Sequence, residues 1–452
     1  MAQFKIHTVR VLEDGTTAEG EALRYDNMTS ELLFDSTQAP VFGPSPDREW
    51  VSAIPVAANI PGKKKLPKVL KISLGLSCNY SCEYCSQRFV PHDTSASPDQ
   101  AAGLMTKLDT LGANPDRIEF WGGEPLVYWK MLVPLAEALR AKFPKAAFGM
   151  VTNGSLLDAE KNQWLENMGF SIGLSHDGPG YHVRGLDPMD NPEQREGILD
   201  LYNRLHPKGR MSVNAMLHKN NVSRADIQEW LSKNFSEDVR IGEGGFIDPY
   251  DQGGLANTFD VEQEHAHFRQ KAFREIRTGS ASNFDVVHTK ITGFIESLAF
   301  RRPASAVGQK CGMDRQDNIA IDMSGNVLTC QNVSAISTAP NGQAHKIGHI
   351  DDLENVAMKS STHWSERAHC SGCPVLQLCA GSCMFLEGDL WKAGCDSSYS
   401  DNIPFFAAAI ESATGLLPVY IEGDLPENRK VVWGSTVTEA PAKSKVILMK
   451  QV

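Results

Sequence analysis

The stretch LGLSCNYSCEYCSQR, residues 74–88, sets Cys78, Cys82 and Cys85 apart by three and then two intervening residues. A closed tetrahedral metal site takes four protein ligands, so three thiols describe a site with one position left open. The run just before them, LKISLGL at 70–76, reads as an apolar strand. The thiols therefore sit on the loop at a strand's C-terminal end.

Their company narrows the chemistry. Of ten cysteines in 452 residues, three lie in this stretch and the other seven between 311 and 395. Inert buried cysteines would scatter over hydrophobic segments, so this segregation points to metal ligation or redox work. The start, MAQFKIHTVRVLEDG, breaks any apolar run with charge, and no stretch of about 18–20 apolar residues follows. Neither a signal peptide nor a membrane span is expected. The default location is cytoplasmic, where disulfides are rare. A net charge of -11 supplies no basic field for nucleic acid or an anionic membrane, the local run Lys63, Lys64, Lys65 aside. With 41% hydrophobic and 22% charged residues, the chain can bury cores for two or three domains.

Residues 1–66 are strand- and turn-rich: FKIHTVRVL alternates, and LEDGTT and RYDN supply turns. From 67 to about 250 apolar runs alternate with segments of helical period. The predicted strands are RIEFW (117–121), AAFGMVT (146–152), FSIGLS (170–175), RMSVNAML (210–217) and VRIGEGGF (239–246). Helices are predicted near 97–111, 129–143, 156–168, 192–206 and 224–235. Six such units imply an α/β fold, a partial (β/α)6 TIM-like barrel of parallel strands with its chemistry at the C-terminal strand ends. A helical connector (251–305), a cysteine-rich domain (306–400) and a C-terminal extension (401–452) follow. The extension is expected to hold a helix over NIPFFAAAIESATG, strands over LPVYIEG and KVVWGSTV, and a tail ending in EAPAKSKVILMKQV.

A four-iron cubane needs four outer ligands, so three thiolates leave one iron for a cofactor or substrate. CNYSCEYC, with an aromatic residue before its third cysteine, resembles the signature of the radical S-adenosylmethionine (radical SAM) enzymes. The resemblance implies a 4Fe-4S cluster on Cys78, Cys82 and Cys85, S-adenosylmethionine chelating its open iron, and a 5'-deoxyadenosyl radical that abstracts a substrate hydrogen. It implies a low-potential electron donor such as flavodoxin or ferredoxin, and places Tyr84 beside the adenine. Taken alone, the triplet also permits zinc. WGGEP, ending the second predicted strand, is similar to the family's GGEP motif, so Gly122, Gly123, Glu124 and Pro125 are implied at the cofactor's amino group. TNGS and SHDGPG end the next two strands and resemble family segments near the cofactor, which adds Asn153, Ser175 and Arg184. A surface arginine and a packed His176 remain the plain alternatives.

The downstream set reads CGMDRQDNIAIDMSGNVLTC, CSGCPVLQLCAGSC and Cys395. It resembles the SPASM iron-sulfur domain of radical enzymes that act on peptides and proteins; a zinc ribbon accounts for CxxC pairs but not for the whole pattern. Family topology implies one auxiliary 4Fe-4S cluster on Cys370, Cys373, Cys379 and Cys395, and another on Cys311, Cys330 and Cys383, making three clusters in all. Two closed cubanes need eight ligands and seven cysteines exist. One auxiliary iron is then open, or is completed by water or by a carboxylate such as Asp314. The resemblance implies a peptide or protein substrate and an oxidative modification: thioether formation, or a carbon-carbon or carbon-oxygen crosslink. Formylglycine formation is disfavoured, because relatives with that activity carry tyrosine and aspartate where this chain has Gln87 and Gln331. Dehydrogenation of a small alcohol or sugar, and a non-catalytic electron-transfer protein, are the remaining readings. A general base is needed, and Asp314, Tyr250, Asp248 and His176 are candidates between which the sequence does not choose. The N-terminal segment lacks the helices of a winged leader-binding domain; it reads as a structural cap on the barrel, or as an edge that adds a substrate strand.

Overall fold

The computed structural model describes residues 3–44, 48–54, 62–64, 67–92, 99–110, 114–242, 244–357 and 362–433. Lys65, the end of KVVWGSTV and the expected tail lie outside them. The chain opens with antiparallel β1 (Gln3–Val11), β2 (Thr17–Glu19), β3 (Leu23–Asp26) and β4 (Glu31–Phe34). Phe4 and Ile6 are buried between more exposed neighbours, the alternation that makes FKIHTVRVL a half-buried strand.

The barrel follows as β5 (Val69–Ser73), α1 (Asp99–Thr110), β6 (Arg117–Trp121), α2 (Trp129–Lys142), β7 (Ala147–Thr152), α3 (Ala159–Asn167), β8 (Phe170–Ser175), α4 (Pro192–Leu205), β9 (Met211–Asn214) and α5 (Arg224–Asn234). Side chains start these helices where the sequence supplies a cap: Asp158, Asn191 and Ser223 each accept a first-turn amide of α3, α4 and α5. Strands β5 to β9 pair in parallel and in chain order. Phe120, Phe148 and Phe170, from three successive strands, meet with ring centroids 5.5 Å apart under the helices. Each such burial is worth about 1.5–3 kcal/mol. Lys71 and Glu119, in register on β5 and β6, alternate with these core residues along their strands. The expected sixth strand is a correction: among the described residues of 239–246 the pairing is by isolated parallel bridges, Val213 with Ile241, Leu217 with Phe246 and Ile241 with Phe284. The glycines of GEGG interrupt a continuous ladder there.

After α6 (Gln252–Ala256), α7 (Glu262–Thr278) and α8 (Asp285–Ala299), the chain forms β10 (Asn318–Asp322), β11 (Asn326–Leu328) and β12 (Lys346–His349), then α9 (Leu376–Cys379), α10 (Gly388–Thr414), β13 (Leu417–Glu422) and α11 (Glu427–Lys430). β10 pairs in parallel with β5, so the cysteine-rich hairpin extends the barrel's own sheet in the order β12-β11-β10-β5-β6-β7-β8-β9. Cys330 is thereby brought to the edge of the barrel.

The N-terminal sheet is not a cap on the barrel. β13 pairs antiparallel with β1, and Tyr25 packs on Phe294 of α8 and Phe406 of α10 at 6.0 and 5.5 Å. Strands β1 to β4 and β13 thus form one layer over α8 and α10. Asn27 reaches from this layer into the second cysteine region, donating to the carbonyls of Ser371 and Cys373 at 2.9 and 2.8 Å. Among the described residues no helix is long and apolar enough to cross a membrane.

Candidate active site

Backbone contacts hold the first cysteine loop in place. Gly123 and Glu124 donate their amides to the carbonyls of Gly75 and Ser77, each at 3.0 Å, and the Ser77 amide donates to the Tyr128 hydroxyl at 2.7 Å. A side chain at Gly122 would put its Cβ 2.8 Å from the Gly75 carbonyl, and one at Gly123 would run into the carbonyls of Leu76 and Ser77. Glycines are required there because the two loops touch backbone to backbone.

The Glu124 carboxylate faces inward, buried at 2% exposure. It accepts from the Thr152 hydroxyl at 2.7 Å and from the amides of Asn153 and Leu126 at 2.8 and 3.1 Å. Burial raises its pKa, against these hydrogen bonds that lower it. The carboxylate joins the second strand end to the third. Asn153 in turn donates to Asn79 at 2.9 Å, and Asn79 to Ser155 at 2.8 Å. Three strand ends that sequence reading treated separately form one hydrogen-bonded platform under Cys78. Glu124→Ala leaves two buried donors and one part-buried donor without their acceptor and is expected to cost about 2–3 kcal/mol, measurable as a lower denaturant midpoint, with weakened cofactor binding in calorimetry.

The thiols suit metal ligation. Tyr80 and Gln87 point backbone amides at the sulfurs of Cys78 and Cys85, both at 3.4 Å, as donors to a coordinated thiolate do. Burial pushes all three thiols up, Cys82 to about 11. As free groups they stay protonated at neutral pH, and a bound metal reverses that preference. Among the described residues no three His, Cys, Asp or Glu side chains converge closely enough for a single ion.

Tyr84 and Arg184 are both turned to Asp177. The Tyr84 hydroxyl donates to its carboxylate, Arg184 grips both oxygens at 2.8 and 3.1 Å, and the Met216 amide adds a third donor at 2.9 Å. These contacts tie the cysteine loop to the end of β8. Ser175 ends β8 in register with Asn214 of β9. His176 is no base at the mouth: it is fully buried, its Nδ1 accepts from the Gly178 amide at 3.0 Å, its Nε2 meets Asp187 at 3.1 Å, and Trp230 stacks on it at 4.5 Å.

In the second cysteine region the thiols divide by proximity. Cys370, Cys373, Cys379 and Cys395 line one pocket, together with Trp391 and Arg429. Cys330 is within electrostatic reach of Cys311 and Cys383, and the Tyr250 side chain lies beside Cys383. Asp314 accepts the Gln309 amide at 2.9 Å and has His363 at 3.8 Å, while its Oδ1 is buried without a partner. Asp248 accepts from Ser382 at 2.6 Å, beside Cys383. The two glutamines meet a common seam: Gln87 donates to Asn332 at 3.0 Å, and Gln331 lies 3.5 Å from Lys71. Lys71 was missed, although a lone charge inside the apolar run LKISL was a readable signal. Asp177 lay within SHDGPG, and Arg429 carried no signal at all.

Comparison with known proteins agrees with this geometry. The model of the radical SAM superfamily matches residues 72–232. The radical SAM cyclopropyl synthase TigE of Paramaledivibacter caminithermalis is 25% identical over 145 residues, covering 27% of this chain and 31% of that protein. An S-adenosylmethionine-dependent nucleotide dehydratase of Pseudoalteromonas ulvae is 24% identical over 175 residues, covering 34% of this chain and 56% of that one. The matches thus span from under a third to just over half of these curated relatives. Native anSMEcpe, solved with AdoMet and the Kp18Cys peptide, superposes with a TM-score of 0.53 at 17% identity, covering 76% of this chain and 99% of that one. At that identity the likeness speaks for the fold. The cysteine loop at 74–88 therefore lies within a radical SAM domain, residues 72–232 of this chain.

Proposed function

We propose that this chain is a radical SAM maturase that oxidatively modifies a ribosomally made peptide or protein, forming a thioether or a carbon-carbon or carbon-oxygen crosslink. The observation that carries the reading is the sorting of ten thiols into groups of three, three and four around the barrel mouth and its extended sheet. In this reading Cys78, Cys82 and Cys85 hold the cluster that binds S-adenosylmethionine, and the other two groups hold auxiliary 4Fe-4S clusters. Bound there, cluster and cofactor supply a reactive carbon radical that removes a substrate hydrogen, and the auxiliary clusters supply a sink for the electron lost next.

The chain's own residues do the rest. Backbone carbonyls of the GGEP loop orient the cofactor's amino group, on the platform that Glu124 and Asn153 brace. Tyr84, Asp177 and Arg184 lock the cysteine loop against the fourth strand end. Lys71 and Gln331 line the seam between barrel and hairpin. Where formylglycine-forming relatives have a carboxylate, Gln331 is neutral, which favours bond formation over that oxidation. Support for a peptide comes from the fold shared with anSMEcpe, solved with a bound peptide. Anaerobic reconstitution followed by incubation with peptides encoded beside the gene tests the reading. A product lighter by two hydrogens, localised by fragmentation, is expected; turnover of a small alcohol or sugar with none of any peptide overturns it.

A further inference from the structure

The C-terminal extension returns to the four-thiol cavity and places one buried charge on a sulfur. Arg429, in α11, is 8% exposed. Its Nη2 donates to Cys395 Sγ at 3.4 Å and to Asp396 at 2.7 Å. The Tyr399 ring lies 4.8 Å from the guanidinium, and the Tyr399 hydroxyl donates to the Arg429 carbonyl at 2.7 Å, so the arginine is held from both ends. Asp396 offsets part of this charge, but at 31% exposure water screens it more than it screens Arg429. Further cations surround the same four thiols: Arg367 within electrostatic reach of Cys370, and Lys310 and Lys290 of Cys379.

The three-thiol group is different. Asp248 stands by Cys383 and Asp314 by Cys311. Against these two carboxylates stand Lys71, within reach of Cys311 and Cys330, Lys63, within reach of Cys311, and Lys310, 3.8 Å from Asp248, so its charges come close to cancelling. The donor to sulfur there is a neutral backbone amide, that of Asn332, 3.4 Å from Cys330 Sγ.

An added electron makes a cluster more negative, so a nearby cation and an N–H donor to sulfur stabilise the reduced form and raise the potential. We infer that Arg429 is a positioning residue for electron flow: it raises the cluster on Cys370, Cys373, Cys379 and Cys395 above the one on Cys311, Cys330 and Cys383. One electron then passes outward, the three-thiol cluster being oxidised and the four-thiol cluster reduced, with no bond made or broken. This rests on the proposed cluster ligation.

The test is a potentiometric titration of anaerobically reconstituted protein followed by electron paramagnetic resonance, comparing wild type, R429Q and R429K. The signal that C370A/C373A removes identifies the four-thiol cluster. In wild type that signal is reduced at higher potential than the other auxiliary signal. R429Q is expected to lower its reduced-to-oxidised ratio at fixed potential about tenfold, ~59 mV for one electron, leaving the other signals in place, and R429K to restore most of it. An iron-replete R429Q with unchanged midpoints, or a wild type with the order reversed, overturns the inference alone. A wild type with no auxiliary signals and about four irons per chain overturns it together with the ligation it rests on.

Discussion

Alanine at Cys78, Cys82 and Cys85 together is expected to give a folded protein that has lost about a third of its iron, from about twelve to about eight per chain, and all reductive cleavage of S-adenosylmethionine. The fold survives because the loop is fastened by groups other than its thiols: the amides of Gly123 and Glu124, the Tyr128 hydroxyl and the Asn79 side chain. The hydrophobic layer beneath, Phe120 with Phe148 and Phe170, does not involve the loop. Iron quantification, thermal melting and chromatography of the nucleoside product check the three parts separately. A variant that keeps all its iron would show that these thiols ligate none of it.

The second large effect lies away from the chemistry. Asp401 of α10 and Arg224, at the start of α5, form an ion pair at 2.5 Å with both side chains at 5% exposure or less. Lys290 reaches the other carboxylate oxygen at 3.2 Å. Arg224 also donates to the Gly244 carbonyl, and its Nε and Nη1 are buried without partners. Removing the carboxylate strands the buried guanidinium of Arg224, and Asp401→Ala is expected to cost about 3–5 kcal/mol, read as a fall in the denaturant midpoint. Burial alone would raise the pKa of Asp401, but Lys290 and Arg224 outweigh it and hold the group at about 2, below its ordinary 3.8. A depressed folded pKa contributes stability above the unfolded value and loses it as pH falls through the folded one. The wild type should therefore lose about 2 kcal/mol between pH 4 and pH 2 through this group, a loss absent from the variant.

What the sequence made legible, and what it hid, follows the range of the interactions involved. The strands of the barrel and its helices were readable because hydrophobic period and caps are local: RIEFW and FSIGLS coincide with β6 and β8. The sixth strand misled because an apolar run says nothing of whether Gly242 and Gly245 will sustain a ladder. The pairing of β1 with β13 joins residues over 400 positions apart, and the docking of β10 on β5 over 240; neither leaves a mark in either segment alone. The same holds at the site. Cysteine spacing and GGEP are contiguous and were visible, whereas the convergence of Tyr84 and Arg184 on Asp177 exists only after folding. Motifs name residues without saying which way their side chains turn.

The central claim is that the loop at 74–88 serves a site with an open position at which S-adenosylmethionine is cleaved. The most direct measurement is 5'-deoxyadenosine formed by anaerobically reconstituted wild-type protein given strong reductant, S-adenosylmethionine and its peptide. The account predicts nucleoside release that is stimulated by the peptide and abolished by C78A/C82A/C85A. Iron-replete wild type that binds the peptide and releases none would contradict it.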